Sequence, residues 1–323
     1  MPFQFPGQSR KRSGGFPFPF PQQRQPQQRR RQRPMFGGGS RGQRSAGGGM
    51  GSAIKMRLLI AAGIAVFALI SYYGKPGDVN EVTGESERVA MADEAEEIQL
   101  GLQAAPKMIQ QHGGPSNSLA DRRRVHNIGQ RLLAALDEEL AGSDRHNPYR
   151  DSFHFTLLAD PQTVNAFALP GGPVFITHAL YDRLTDGELA GVLGHEIGHV
   201  LLRHGNKRMA KQGLYQGLAG AMGVLGGDAG GQRMAQMISS ALSMKYGRDH
   251  ELESDKWAVK LTAMAGYDPR AMIGVMKILD EATGGQGPPE FLSTHPKPEN
   301  RVAYIEEVIA KQFPNGVPDG LRQ

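Results

Sequence analysis

The stretch "GHEIGHVLLRH", residues 194–204, holds three histidines and a glutamate in eleven positions. His195 and His199 are four apart, and His204 follows five later. Side chains four apart share one face of a helix, so His195 and His199 can hold one tetrahedral zinc ion between them. Glu196, between the two, is placed as general base toward a metal-activated water. The stretch carries its own helix start signal upstream. Thr185 and Glu188 form a T-x-x-E capping box, and Leu184 and Leu189 occupy the two positions of a hydrophobic staple.

A zinc hydrolase needs a third protein ligand and an open fourth position. On a continuous helix His204 does not supply one. Five residues past His199 turn through about 500°, away from the ligand face. No glycine breaks the helix three residues after His199, because position 202 is leucine. His204 is therefore expected at the surface or behind a ligand. The better candidate lies 52 residues past His199, in "HELESDKWAVKL", residues 250–261. Glu251 and Asp255 are four apart there. Glu251 completes a set of two histidines and one glutamate, and Asp255 can accept the free ring N–H of a ligand histidine. His250 competes as a ligand, but its neighbour fits the pairing with Asp255 better. Glu253 points elsewhere and reads as a solvated acid. No other well-spaced histidine suggests a fourth ligand, so the site reads as open and catalytic.

Composition narrows the chemistry. The chain of 323 residues has no cysteine, which excludes disulfides, thiolate catalysis and cysteine metal sites. The net charge of +5 hides a division. Residues 1–57 carry 12 Lys and Arg and no Asp or Glu, whereas the remainder is net −7. The body of the protein thus shows no electrostatic footprint for nucleic acid, and no nucleic-acid partner is expected.

Residues 1–56 are rich in Pro, Gln, Gly and Arg and read as a disordered basic tail, available to anionic lipid. Residues 57–74, "RLLIAAGIAVFALISYYG", read as a transmembrane signal anchor in contact with membrane lipid. Its uncharged part, Leu58 to Gly74, is 17 residues long, with Arg57 and Lys75 at its ends. The positive-inside rule leaves the tail in the cytoplasm and residues 75–323 on the far side, with a bacterial periplasm the expected compartment. Residues 75–92 read as a polar linker, 93–313 as the catalytic domain and 314–323 as a C-terminal tail.

Within the domain, helices are expected over 93–111 and 119–140. The second places Val125, Ile128, Leu132, Leu133 and Leu136 on one face. Strands are expected over 153–158, 163–169 and 174–177, in a small antiparallel sheet, with a tight turn at "PGGP". The stretch "NAFALPGG", residues 165–172, reads as an edge strand open to an extended peptide substrate, through Asn165, Ala166 and Phe167. Helices follow over 230–246, 249–265, 270–284 and 297–312. The apolar, glycine-rich residues 214–227 belong to an uncharged run of only 16. They read as core or as a mobile cover near the site rather than as a second span. In "THPKPENR", residues 294–301, His295 can donate to an oxyanion or cap a helix, and sequence leaves both open.

"HEIGH", then "ELESD" about 50 residues later, with "NAFALPGG" before and "STHPKPENR" after, together resemble the membrane-associated gluzincins. These include the Ste-type CAAX proteases, the HtpX-type heat-shock proteases, the Oma-type proteases and periplasmic single-domain members. The resemblance runs from about Asp93 to Phe313. It implies a mostly helical α+β zincin-like domain holding one zinc ion through His195, His199 and Glu251. It also implies Glu196 as base, Asp255 behind the ligands, and His295 and Arg301 lining the site. Ser254 stands where the family often has alanine, a small-for-small change. The single span departs from the HtpX and Ste types, which carry several, and favours the Oma-like or periplasmic branch. The expected activity is a zinc metalloendopeptidase acting on envelope or misfolded polypeptides. A zinc-stabilised scaffold or chaperone without activity is the alternative, and a basic tail acting as a nucleic-acid or lipid tether is another.

Overall fold

The computed structural model describes residues 49–74, 76–226, 229–282, 295 and 300–323. Most of the basic tail lies outside them. The stretch expected as an anchor lies in helix α1, Gly49–Tyr73, which begins eight residues before the expected span. Its residues Ser52–Tyr73 are long and apolar enough to cross a membrane.

The domain is mostly helical with a small sheet. Helix α2 spans Glu94–Gln111, capped by Asp93, and α3 spans Leu119–Leu140, capped by Ser118. Val125, Ile128, Leu132, Leu133 and Leu136 are all buried, as their spacing predicts. Strands β3 (His154–Leu158), β4 (Ala166–Ala168) and β5 (Pro173–Thr177) form the sheet, in the order β3-β5-β4. The pairing departs from expectation in one respect: β3 and β5 run parallel, and only β4–β5 is antiparallel. The short β4 doubles back on β5, so the chain approaches β3 with the same sense as β5. The turn between β4 and β5 requires its glycines. Gly171 and Gly172 have φ of +77° and +133°, and a Cβ on Gly171 would lie 2.4 Å from the backbone of α2.

A short helix α4, His178–Tyr181, leads to α5, Asp186–Leu201, the central helix of the domain. Both hydrogen bonds of the expected capping box are present, and Leu184 and Leu189 lie in the core. Helix α6 is His204–Gly226 and α7 is Ala229–Met264. Two helices were expected where α7 runs unbroken through Gly247. A helix-interior glycine costs only about 1 kcal/mol, which packing readily offsets. Helices α8 (Ala271–Ala282) and α9 (Arg301–Gln312) complete the domain.

The two flanking segments are more structured than their polarity suggests. Residues read as a linker form a two-residue hairpin, β1 (Asp78–Val79) with β2 (Ser86–Glu87). Val82 enters the core, and Asn80 donates to the Leu201 carbonyl at 2.8 Å. At the C-terminus, Arg322 bridges Tyr267, and Gln323 donates to Asp268 at 3.0 Å.

Candidate metal centre

Helix α5 presents His195 and His199 from one face, and α7 crosses that face closely. Gly194 and Gly198 permit the approach. A Cβ on Gly198 would lie 3.0 Å from the Trp257 Cβ and 3.3 Å from the Ser254 Cα. This closeness lets Glu251, one turn up α7, reach both histidines. Glu251 Oε2 lies 3.2 Å from His195 Nε2, and Oε1 lies 3.3 Å from His199 Nε2. The two Nε2 atoms are 3.1 Å apart.

His295 is the fourth member. Its Nδ1 lies 3.1 Å from Glu251 Oε2 and 3.4 Å from His195 Nε2. This corrects the expectation that no histidine supplies a fourth group. The N-cap of α9 is Asn300, not His295. A tetrahedron whose corners lie about 2.0–2.1 Å from its centre has edges of about 3.3–3.4 Å, the spacing zinc requires of nitrogen and oxygen donors. Five of the six pairs lie 3.1–3.4 Å apart, close to it, with Glu251 meeting His199 through Oε1 and His195 and His295 through Oε2. The chemistry of the set, three imidazoles and a carboxylate, fits zinc as well.

Asp255 lies behind His195, with Oδ1 2.9 Å from Nδ1. Arg301 holds Asp255 in a fork, donating from Nε at 2.6 Å and from Nη2 at 2.7 Å. Burial pushes the Asp255 carboxyl up, but the Arg301 charge and its hydrogen bonds outweigh it, so Asp255 stays anionic. It therefore accepts the Nδ1–H of His195, which leaves the Nε2 lone pair facing the cluster. Burial also opposes charge on His195, yet with no ion in place its hydrogen bonds to Asp255 and Glu251 raise its pKa to about 9, so an ion binding at Nε2 has to displace a proton there.

Glu196 faces a cleft of about 190 Å³, which Phe167, Ala168, Leu169 and Pro170 wall on one side. Both Glu196 carboxylate oxygens are buried without a hydrogen-bond partner among the described residues. A buried carboxylate left so is costly, by several kcal/mol, and calls for a water or an ion beside it. His295 Nε2 is 3.5 Å away.

The model of peptidase family M48 matches residues 120–309. The chain belongs to peptidase family M48. That family is zinc-dependent. Among M48 relatives, the chain is 33% identical over 191 residues to the beta-barrel assembly-enhancing protease of Escherichia coli, covering 55% of this chain and 37% of that one. It is 31% identical over 181 residues to the metalloprotease YcaL of Escherichia coli, covering 55% of this chain and 69% of that one. It is 32% identical over 154 residues to the mitochondrial metalloendopeptidase OMA1 of Schizosaccharomyces pombe, covering 47% and 45%. The chain thus spans little more than a third of the first of these.

Other residues of this M48 site stand apart from expectation. Arg301 is buried behind Asp255 and does not line the cleft. Asn165 is buried too, and its carbonyl accepts from the Thr177 amide and hydroxyl on the neighbouring strand β5. Phe167 does reach the cleft, stacked on Phe175 with centroids 5.0 Å apart. His250 is no part of the cluster: it stacks on His204 at 4.1 Å.

His204 and Glu253 were undervalued. Helix α5 stops at Leu201, Arg203 takes a left-handed φ of 52°, and α6 restarts at His204. The break swings His204 back, so that its Nδ1 lies 2.9 Å from His199 Nδ1. His204 Nε2 donates to Glu253 at 2.9 Å. Burial, reinforced by His199 and His250, holds the His204 pKa well below its usual value and keeps the ring neutral. With its one proton on Nε2, His204 accepts the Nδ1–H of His199 and turns the His199 Nε2 lone pair toward the cluster. His199 thus has a proton acceptor behind it, as His195 has Asp255.

Proposed function

We propose that this chain is a membrane-anchored zinc metalloendopeptidase that hydrolyses peptide bonds in envelope proteins, misfolded ones among them. One observation carries the reading. A buried carboxylate with no hydrogen bond among the described residues, Glu196, stands beside a set of three histidines and a glutamate at the head of a cleft walled by a sheet edge.

His195, His199 and Glu251 hold the zinc, and Asp255 fixes the His195 tautomer. Zinc supplies Lewis acidity, which lowers the pKa of the attacking water and favours charge on the carbonyl oxygen. Glu196 takes the water's proton and then delivers it to the departing amine. With His195, His199 and Glu251 as the residues that would hold zinc, His295 would be left to act on the substrate and not as a ligand. Its ring stays close enough to donate to the developing oxyanion.

The substrate lies along β4. Leu169 donates to Pro173 and Thr177 donates to Asn165, so residues 165, 167 and 169 face β5 through their backbones. By alternation, Ala166 and Ala168 turn their N–H and C=O groups to the open edge, where an extended peptide pairs. The finer localisation follows from charge. The basic tail stays in the cytoplasm and the catalytic domain lies across the membrane, in a bacterial periplasm.

Zinc analysis paired with casein hydrolysis tests the reading. Glu196→Gln should keep one zinc per chain and lose hydrolysis, whereas Glu251→Ala should lose both. Full zinc in Glu251→Ala sinks the ligand assignment, and undiminished hydrolysis in Glu196→Gln sinks the mechanism. A second reading, a zinc-stabilised scaffold, draws on the four-membered donor set that His295 completes, since structural sites are closed. His295→Ala separates the two. As an oxyanion donor, its loss lowers kcat by about 10²-fold with zinc retained. Loss of zinc alongside an inactive parent protein favours the scaffold.

A further inference from the structure

The apolar part of α6 does not return to the domain core. It packs along α1, where Ala68, Leu214 and Tyr215 form a small core of their own, with Tyr72 and Leu218 at its margin. Both helices leave the domain from the same end. Helix α1 finishes at Tyr73, shortly before β1, and α6 starts at His204, beside the metal cluster. They therefore run antiparallel.

One contact gives their register: a Cβ on Gly217 would lie 2.5 Å from the Ala68 Cβ. Carried residue by residue to the end of α6, this register brings Gly226 level with about Leu59, since both helices rise 1.5 Å per residue. The uncharged run of α1 is Leu58 to Gly74, and that of α6 covers residues 212–227. The two runs coincide as far as Gly226, the end of α6. Lys211 precedes one as Lys75 follows the other, and Asp228 closes one where Arg57 opens the other. Alone, 16 uncharged residues argue against a span, which is why the sequence does not suggest one. Beside a helix that itself manages with 17, they match it.

The contact has the form expected in lipid. Glycine and alanine meet at the seam, so that the backbones approach closely. Away from the seam, Met222 is 36% and Leu225 48% exposed among the described residues. Helix α7 packs back along α6.

We propose that α6 enters the bilayer beside α1, to about the depth of Leu59, and that acyl chains cover Met222 and Leu225. The proposal rests on the reading that α1 spans the membrane.

The chain has no cysteine, so single cysteines report without background. Leu119→Cys, 62% exposed on α3, gives the water-accessible rate, and Phe67→Cys, 74% exposed on α1, gives the lipid-facing one. Full-length Met222→Cys and Leu225→Cys are compared with them, using a water-soluble maleimide on membranes opened to reagent at both faces. The expected result is labelling of residues 67, 222 and 225 at least tenfold slower than that of 119, with all four reacting in SDS. Labelling of 222 or 225 at the rate of 119, with 67 still protected, overturns the proposal and leaves the anchor standing. If 67 also labels at that rate, the anchor reading fails and takes the proposal with it. An environment-sensitive fluorophore at position 225 separates lipid from protein cover. Quenching of at least twofold by doxyl-labelled lipid supports insertion, and protection without quenching overturns it.

Discussion

His204 shows how much of a metal site lies behind its ligands. It is buried between His199 and Glu253, stacked on His250, and its neutral ring has one proton to place. Removing it takes the acceptor away from His199 Nδ1–H. His204→Ala is expected to weaken zinc binding about 10- to 100-fold, the usual effect of losing a group that orients a ligand, as measured by competition with a chromogenic chelator. Unchanged affinity would show that the His199 tautomer needs no partner. His195, His199, Glu251 and Asp255 were legible because spacing of four on a helix is a local fact. His204 was legible only as a residue either at the surface or behind a ligand, because Arg203 breaks the helix in a left-handed conformation that no glycine announces. His295 was legible as a candidate but not as a neighbour of Glu251. Its place depends on folding across 44 residues of chain.

At the scale of elements, the site depends on two helices crossing at glycines. Gly198→Val would drive a branched side chain against Trp257 and Ser254 and push α7 outward, carrying Glu251 with it. Zinc content measured after dialysis should fall more than that of Gly213→Ala, a position with nothing within 4 Å. Acid should loosen a different element. Hydrogen bonds from Arg270 hold the Asp268 carboxyl below its usual pKa of 3.8, despite burial. A folded-state pKa below the unfolded value gives stability that is present above 3.8 and lost as pH falls through the lowered value. Deuterium exchange at the Arg322 amide, bonded to the Gly266 carbonyl, should therefore show weaker protection in strong acid than at neutral pH, corrected for intrinsic rate. The starts of helices with clear caps, such as α3 and α5, were readable to within a residue or two, but the end of α5 before Arg203 was not. The parallel pairing of β3 with β5 was not. Alternation marks a strand but says nothing of its partner's direction. The packed course of residues 76–92 also escaped notice, since its hold on the domain comes from a few polar side chains, Asn80 and Glu87 among them.

The whole molecule is tied together at Arg203. Its guanidinium meets Asp78 before the catalytic domain begins, Glu97 at 2.6 Å on α2, and the Met91 carbonyl at 2.8 Å. Arg203→Met would strand Glu97 in the interior with only Tyr149 and Asn206 for company. The expected loss is about 3–5 kcal/mol, the range for breaking a buried ion pair, read as a lowered midpoint in urea. The basic tail stands at the other extreme. Deleting residues 1–48 should leave hydrolysis unchanged, and a large loss would give the tail a catalytic partner role. The Arg203 knot also sets a leash. Only five steps of chain separate Tyr73, the last residue of α1, from Asp78. Fully extended, they reach about 17 Å. On the proposed reading of α1 as a membrane span, an enzyme tethered so tightly would have a small radius of action and could not swing out to meet folded proteins in the open compartment. It would work as a fixed station at the membrane surface, and whatever it cut would have to be delivered there, with a loose segment already unravelled.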